Sequence, residues 1–91
     1  KKSSKILEIG CGDGLILASI KKKRPDLQLS GIDLSQRQII KAQSLLPKIE
    51  FFAGNFLDVD IPRNFDAIFS FSTFQYIKRD DINKFNKNVW T

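Results

Sequence analysis

The chain has 91 residues, of which 42% are hydrophobic and 27% charged, and it carries a net charge of +5. This length suits one small domain with a modest core, burying about 60–65% of its unfolded surface, and the composition is globular rather than disordered. No apolar run approaches the roughly 20 residues of a membrane span. One cysteine and no histidine exclude a disulfide framework, a Cys/His zinc site and a histidine base within these residues.

The opening Lys1-Lys2-Ser3-Ser4-Lys5 runs into a short strand-like segment and not a long apolar region, so no signal peptide is expected and the default location is cytoplasmic. Residues 5–9, Lys-Ile-Leu-Glu-Ile, read as the first strand. A glycine-rich turn follows, Gly10-Cys11-Gly12-Asp13-Gly14. Residues 15–24 read as a helix whose C-terminal Lys21, Lys22, Lys23 and Arg24 suit the helix dipole, and Pro25 stops it. Residues 27–32 alternate as a second strand, with Gly31 inside it.

Ser35 predicts a helix N-cap, and Gln38 three residues on completes a capping box. Ile39, Ala42 and Leu46 then share one helical face until Pro47. Residues 49–53 read as a third strand, with Ile49, Phe51 and Ala53 on one face. Residues 55–64 read as a loop with room for a short helical turn. Residues 65–71 form a nearly continuous apolar run, as in a strand buried on both faces. Ile82, Phe85 and Val89 predict a helix over 80–90. Strands alternating with helices imply a parallel sheet with right-handed crossovers.

The glycine turn lies between the first strand and the first helix. Glycines there allow a tight turn and remove the Cβ atoms that would block a ligand. The free N–H groups of the helix start point toward that ligand. Ligands of open parallel sheets bind beyond the C-terminal ends of the strands. Asp33 closes the second strand 23 residues after Gly10, close to the spacing of about 20 at which a carboxylate meets a ribose. Gly54-Asn55-Phe56 follows the third strand, where an amide can pair with an adenine edge and Phe56 can pack on the base.

The stretch Ile6-Leu7-Glu8-Ile9-Gly10-Cys11-Gly12-Asp13-Gly14 resembles motif I of class I S-adenosylmethionine-dependent methyltransferases, an acidic residue followed by G-x-G-x-G. Asp33 matches the family's ribose-binding acid, Gly54-Asn55 its adenine-contacting position, and Phe65-Asp66-Ala67-Ile68-Phe69-Ser70 its fourth-strand motif. The resemblance implies an α/β Rossmann-like three-layer sandwich, a parallel sheet with partial strand order 3-2-1-4 and flanking helices, forming one partial domain over residues 1–91. It implies S-adenosyl-L-methionine as the cofactor. The candidate cofactor-binding residues are then Glu8, Gly10, Cys11, Gly12, Gly14, Asp33, Leu34, Asn55, Phe56 and Phe71. Asp13, Gln75 and Tyr76 are candidate pocket residues, and no catalytic residue is assigned.

A dinucleotide-binding domain is the competing reading. Its G-x-G-x-x-G fingerprint would put the third glycine where Leu15 stands, and Glu8 would repel a pyrophosphate but suits a sulfonium and an ammonium. Cys11 reads as a small filler and not a nucleophile, since no base adjoins it. The charge excess lies wholly in residues 1–24, where seven basic side chains meet only Glu8 and Asp13. These bases fall at the edge opposite the glycine turn, which argues against a nucleic-acid substrate, and no membrane partner is expected. Phe74-Gln75-Tyr76-Ile77 loosely resembles small-acid and carboxyl methyltransferases, which implies a small-molecule acceptor. The family's sheet has further strands. The expectations are therefore an N-terminal fragment, an exposed fourth-strand edge, and a dimer mate or second chain covering it. A cofactor-binding module without turnover is the alternative function.

Overall fold

The computed structural model describes residues 4–62 and 64–70, and the backbone of 75–78. Five strands and two helices follow in the order β1 (Lys5–Ile9), α1 (Leu15–Lys23), β2 (Gln28–Asp33), α2 (Gln36–Leu45), β3 (Glu50–Ala53), β4 (Ala67–Ser70) and β5 (Gln75–Lys78). They build one sheet with strand order β3-β2-β1-β4-β5. The first four strands are mutually parallel, in the expected order 3-2-1-4. The expected helix over 80–90 lies outside the described residues.

The fifth strand corrects one expectation. β5 pairs antiparallel with β4, with Ala67 opposite Lys78 and Ser70 opposite Gln75. The edge of β4 is therefore covered by this chain's own β5, and no second chain is needed there. The physical cause is the row of open N–H and C=O groups that a parallel edge strand presents, which a short return segment satisfies.

The register explains which side chains share a face. Phe51, Gly31, Glu8 and Phe69 stand in one row across β3, β2, β1 and β4. On that face Ile6, Leu29, Phe51, Ala53 and Phe69 pack with Leu17 of α1 and Ile39 and Ala42 of α2. On the other face Leu7, Ile32 and Ile68 are covered by Phe56, Ile61 and Phe65 from the segment between β3 and β4. That segment holds a turn nucleated by Asn55, whose backbone carbonyl accepts from the N–H groups of Asp58 and Val59.

Helix ends follow local chemistry. Gly14 is the N-cap of α1, in the left-handed region at φ 86°, and has no side chain to cap with. Ser35 caps α2 by accepting from the Gln38 N–H at 3.2 Å. The return half of the expected capping box is replaced, because the Ser35 N–H donates to Asp33 Oδ1 at 2.9 Å. Arg24, expected as the last helical residue, leaves the helix at φ −133°, just before Pro25.

Candidate functional site

Three chain segments meet at the C-terminal ends of β1, β2 and β3, and the end of β2 holds them together. The N–H groups of Gly10 and Cys11 both donate to the Ile32 carbonyl, at 2.8 and 3.1 Å. The Gly12 N–H donates to Asp33 Oδ2 at 2.8 Å. The Gly54 N–H donates to the Asp33 carbonyl at 2.8 Å, which brings Asn55 beside the same acid. The Ile32 and Asp33 carbonyls were invisible to sequence reading because they are backbone groups, common to every residue type.

Asp33 thus fastens the glycine turn through Oδ2 and the start of α2 through Oδ1. Each carboxylate oxygen has lone pairs beyond those used. The acid remains partly exposed, so helix-start positioning and ligand binding are compatible in one side chain. At Gly12 φ is +58°, and an added Cβ would meet nothing within 4 Å. The turn therefore borders open space, next to the start of α1, where Gly14 has no side chain to cap with and Asp13 takes the first helical N–H.

Glu8 lies beneath this turn. It is 1% exposed, and its Oε1 makes no hydrogen bond. Burial first, and then the charge of Asp33, push its carboxyl up to about 7. Asp33 sits on the same sheet face, two residues beyond the Gly31 that pairs with Glu8. Cys11 is 5% exposed, and its thiol is pushed up to about 12 by burial, followed by Glu8 and Asp33. It packs in the core beside Leu17 and Phe51. The contact depends on Gly31, where a Cβ would meet Cys11 Sγ at 2.8 Å and the Phe51 ring at 2.9 Å.

The remaining candidates divide. Leu34 follows Asp33 and is 76% exposed, an unpacked apolar side chain at the mouth of the site. Leu15 and Leu57 are also exposed, just after the glycine turn and Asn55-Phe56; their apolar character next to those motifs was the signal that sequence reading passed over. Asn55 Oδ1 accepts from the Leu57 N–H at 2.9 Å, which orients its amide NH2 away from that bond as a donor. Asp13 Oδ1 receives the Leu15 N–H at 3.3 Å. Phe56 corrects an expectation, since its ring is 5% exposed within the core against Leu7 and Ile68 and is not offered to a base. Phe71 lies outside the described residues. Gln75 and Tyr76 are placed on the β5 backbone, in register with Ser70 and Phe69.

A cavity of about 550 Å³ opens at the opposite edge, lined by Lys5, Lys21, Gln28, Glu50 and Phe65 among others. It lies at the N-terminal ends of the strands, where parallel sheets do not place their ligand sites. The described basic residues Lys5 and Lys21 to Lys23 gather at this edge, at the start of β1 and the last turn of α1. Arg24 is held there in an exposed pair with Asp26 at 2.8 Å.

Four parallel strands flanked by helices, with a glycine turn fastened to the next strand's terminal acid, define a Rossmann-like domain with a nucleoside-type site. The chain belongs to the class I S-adenosylmethionine-dependent methyltransferase family: the family model described as "Methyltransferase domain" matches residues 6–91. Among curated relatives, malonyl-[acyl-carrier protein] O-methyltransferase 1 of Ilyobacter polytropus is 33% identical over 89 residues, covering 94% of this chain and 33% of that protein. Carboxy-S-adenosyl-L-methionine synthase of Campylobacter hominis is 33% identical over 82 residues, covering 86% of this chain and 35% of that protein. Among solved structures, the plantazolicin methyltransferase BpumL in complex with a desmethylPZN analog and SAH aligns with a TM-score of 0.65 and 35% identity, over 75% of this chain and 27% of that one. The chain spans about a third of the length of the curated relatives it matches. Among the described residues, no helix is long and apolar enough to cross a membrane.

Proposed function

We propose that this chain is the S-adenosylmethionine-binding part of a methyltransferase acting on a small-molecule acceptor. The observation that carries the reading is the Gly12–Asp33 hydrogen bond, which sets an acid beside open space at the sheet's C-terminal edge. The residues fit the cofactor. Asp33 has lone pairs for two ribose hydroxyls, in charge-assisted bonds worth roughly 1.5–3 kcal/mol each. The exposed Leu34 side chain offers an apolar face to the base, and the Asn55 amide a donor to its edge. Gly10 and Gly12 let the turn approach the ligand, with Cys11 supporting it from below; Gly14, expected as a cofactor contact, instead lets the turn pack on α2, where a Cβ would meet Ala42 Cβ at 3.2 Å. Glu8 supplies negative charge near the cofactor's cationic end. Phe71 follows β4 in sequence and is retained as a lining candidate.

The cofactor supplies an activated methyl group as a sulfonium, so the protein's work is positioning, orientation and exclusion of water. A small-molecule acceptor accords with the plantazolicin analog bound by one structural relative. The basic residues Lys5 and Lys21 to Lys23 gather at the opposite edge, away from the site, which favours a small-molecule over a nucleic-acid acceptor.

Titration of S-adenosylhomocysteine against the protein and its Asp33→Ala variant tests the reading. The expected result is saturable binding that weakens at least tenfold in the variant, while absence of binding by the parent defeats it. Methyl transfer assayed with the full-length protein separates turnover from cofactor binding alone.

A further inference from the structure

We propose that Glu8 carries a proton while the cofactor site is empty and surrenders it to solvent when a cationic ligand enters, so that cofactor binding is coupled to proton release. The inference rests on the cofactor reading above and adds to it a linkage that a merely structural acid would not show.

The geometry leaves Glu8 little choice. It stands in the central row of the sheet, between Gly31 of β2 and Phe69 of β4, neither of which offers a charge. Its side chain is almost wholly removed from water, and Oε1 has no hydrogen-bond partner. An ionised carboxylate in that position would be buried and incompletely paired, which is costly unless a counter-charge arrives. Among the described residues, the titratable groups around it are unhelpful. Asp33 on β2 repels a second negative charge, and the Cys11 thiol above it is neutral at physiological pH. On the helices packed over this face, Lys21 to Lys23 occupy the far end of α1, and Arg37 in the first turn of α2 is exposed to solvent. Both influences on the Glu8 carboxyl act in the same direction, toward the protonated form.

A ligand bearing an ammonium group reverses that balance by supplying a cation. Binding then shifts one proton from the carboxyl to bulk solvent, with no bond made or broken elsewhere. Linkage requires the affinity to rise with pH through the range in which free Glu8 titrates and to level off above it.

The test is calorimetric titration of S-adenosylhomocysteine at pH 6 and pH 8, each in two buffers of different ionisation enthalpy, on the parent protein and on Glu8→Gln. For a free carboxyl near 7, release close to one proton per ligand is expected at pH 6 and close to none at pH 8, with affinity about tenfold tighter at pH 8. Glu8→Gln keeps the shape of the side chain but has no proton to lose, so its affinity is flat with respect to this group. An independent readout is the infrared carbonyl band of a protonated carboxyl in the ligand-free protein at pH 6. That band disappears in Glu8→Gln and is bleached in the parent by ligand. Should the variant fail to fold, the parent's proton count and its ligand-sensitive band decide alone. Binding with no proton exchanged between pH 6 and pH 8, or proton release that persists in Glu8→Gln, overturns the inference and leaves the cofactor reading intact. Absence of binding at every pH removes the cofactor reading and this inference with it.

Discussion

The Gly12 N–H and the Asp33 carboxylate, 21 residues apart, are joined by a 2.8 Å hydrogen bond that makes the turn after β1 and the end of β2 one unit. The same carboxylate holds the Ser35 N–H at 2.9 Å, so a single side chain sets the position of both the ligand turn and α2.

Asp33→Ala is therefore expected to lower stability as well as affinity. Two partly buried N–H groups lose a charged acceptor, at a cost of roughly 2 kcal/mol after water compensates in part. Urea denaturation of the ligand-free protein measures this directly, and an unchanged midpoint would show that the two bonds contribute nothing.

Two glycine substitutions should separate fold from site. Gly12→Ala places a methyl group in open space at a φ of +58°, so only backbone strain of about 1–2 kcal/mol opposes folding, while the ligand's path is narrowed. Gly31→Ala drives a methyl group to within 2.8 Å of Cys11 Sγ and 2.9 Å of the Phe51 ring. Overpacking of that kind costs about 1–3 kcal/mol. The first variant should lose more cofactor affinity than stability, and the second more stability than direct ligand contact. Paired denaturation and binding curves check both.

Glu8 gives the ligand-free protein a pH-dependent stability. Its carboxyl is raised from 4.5 to about 7 in the folded state, so between those values the folded form holds a proton that the unfolded form has lost. The associated stability is full below about pH 4.5, declines across the interval and is gone above 7, a fall of about 3 kcal/mol. Denaturation midpoints between pH 5 and pH 8 should fall in the parent and lose this component in Glu8→Gln. A parent whose stability rises over that range would contradict the placement of Glu8.

Cys11 should resist alkylation. Its thiol is 5% exposed and pushed up to about 12, so hardly any thiolate exists at pH 8. Iodoacetamide at that pH should label the folded protein slowly and the urea-unfolded protein promptly. Fast labelling of the folded form would place the sulfur outside the core.

Much of this arrangement was legible in the residues, for physical reasons. Glycine turns and terminal acids are defined by residue type and spacing, so Gly10 to Gly14 and Asp33 could be paired before any coordinates. Phe56 could not be read this way, because a loop has no periodicity to say which way an aromatic turns. The exposed face of Leu7, Ile32 and Ile68 drew it into the core. β5 was missed because four residues, Gln75 to Lys78, are too short to show an alternation. Gly31 was seen inside its strand, but the sulfur and ring that need its missing Cβ come from Cys11 and Phe51, remote in sequence.

The most direct test of the central claim is a crystal structure of the protein with S-adenosylhomocysteine. The account predicts ribose hydroxyls on the Asp33 carboxylate, the glycine turn against the ligand, and the base between Leu34 and Asn55. A nucleoside seated elsewhere, for example in the groove beside Lys5 and Lys21, would contradict it.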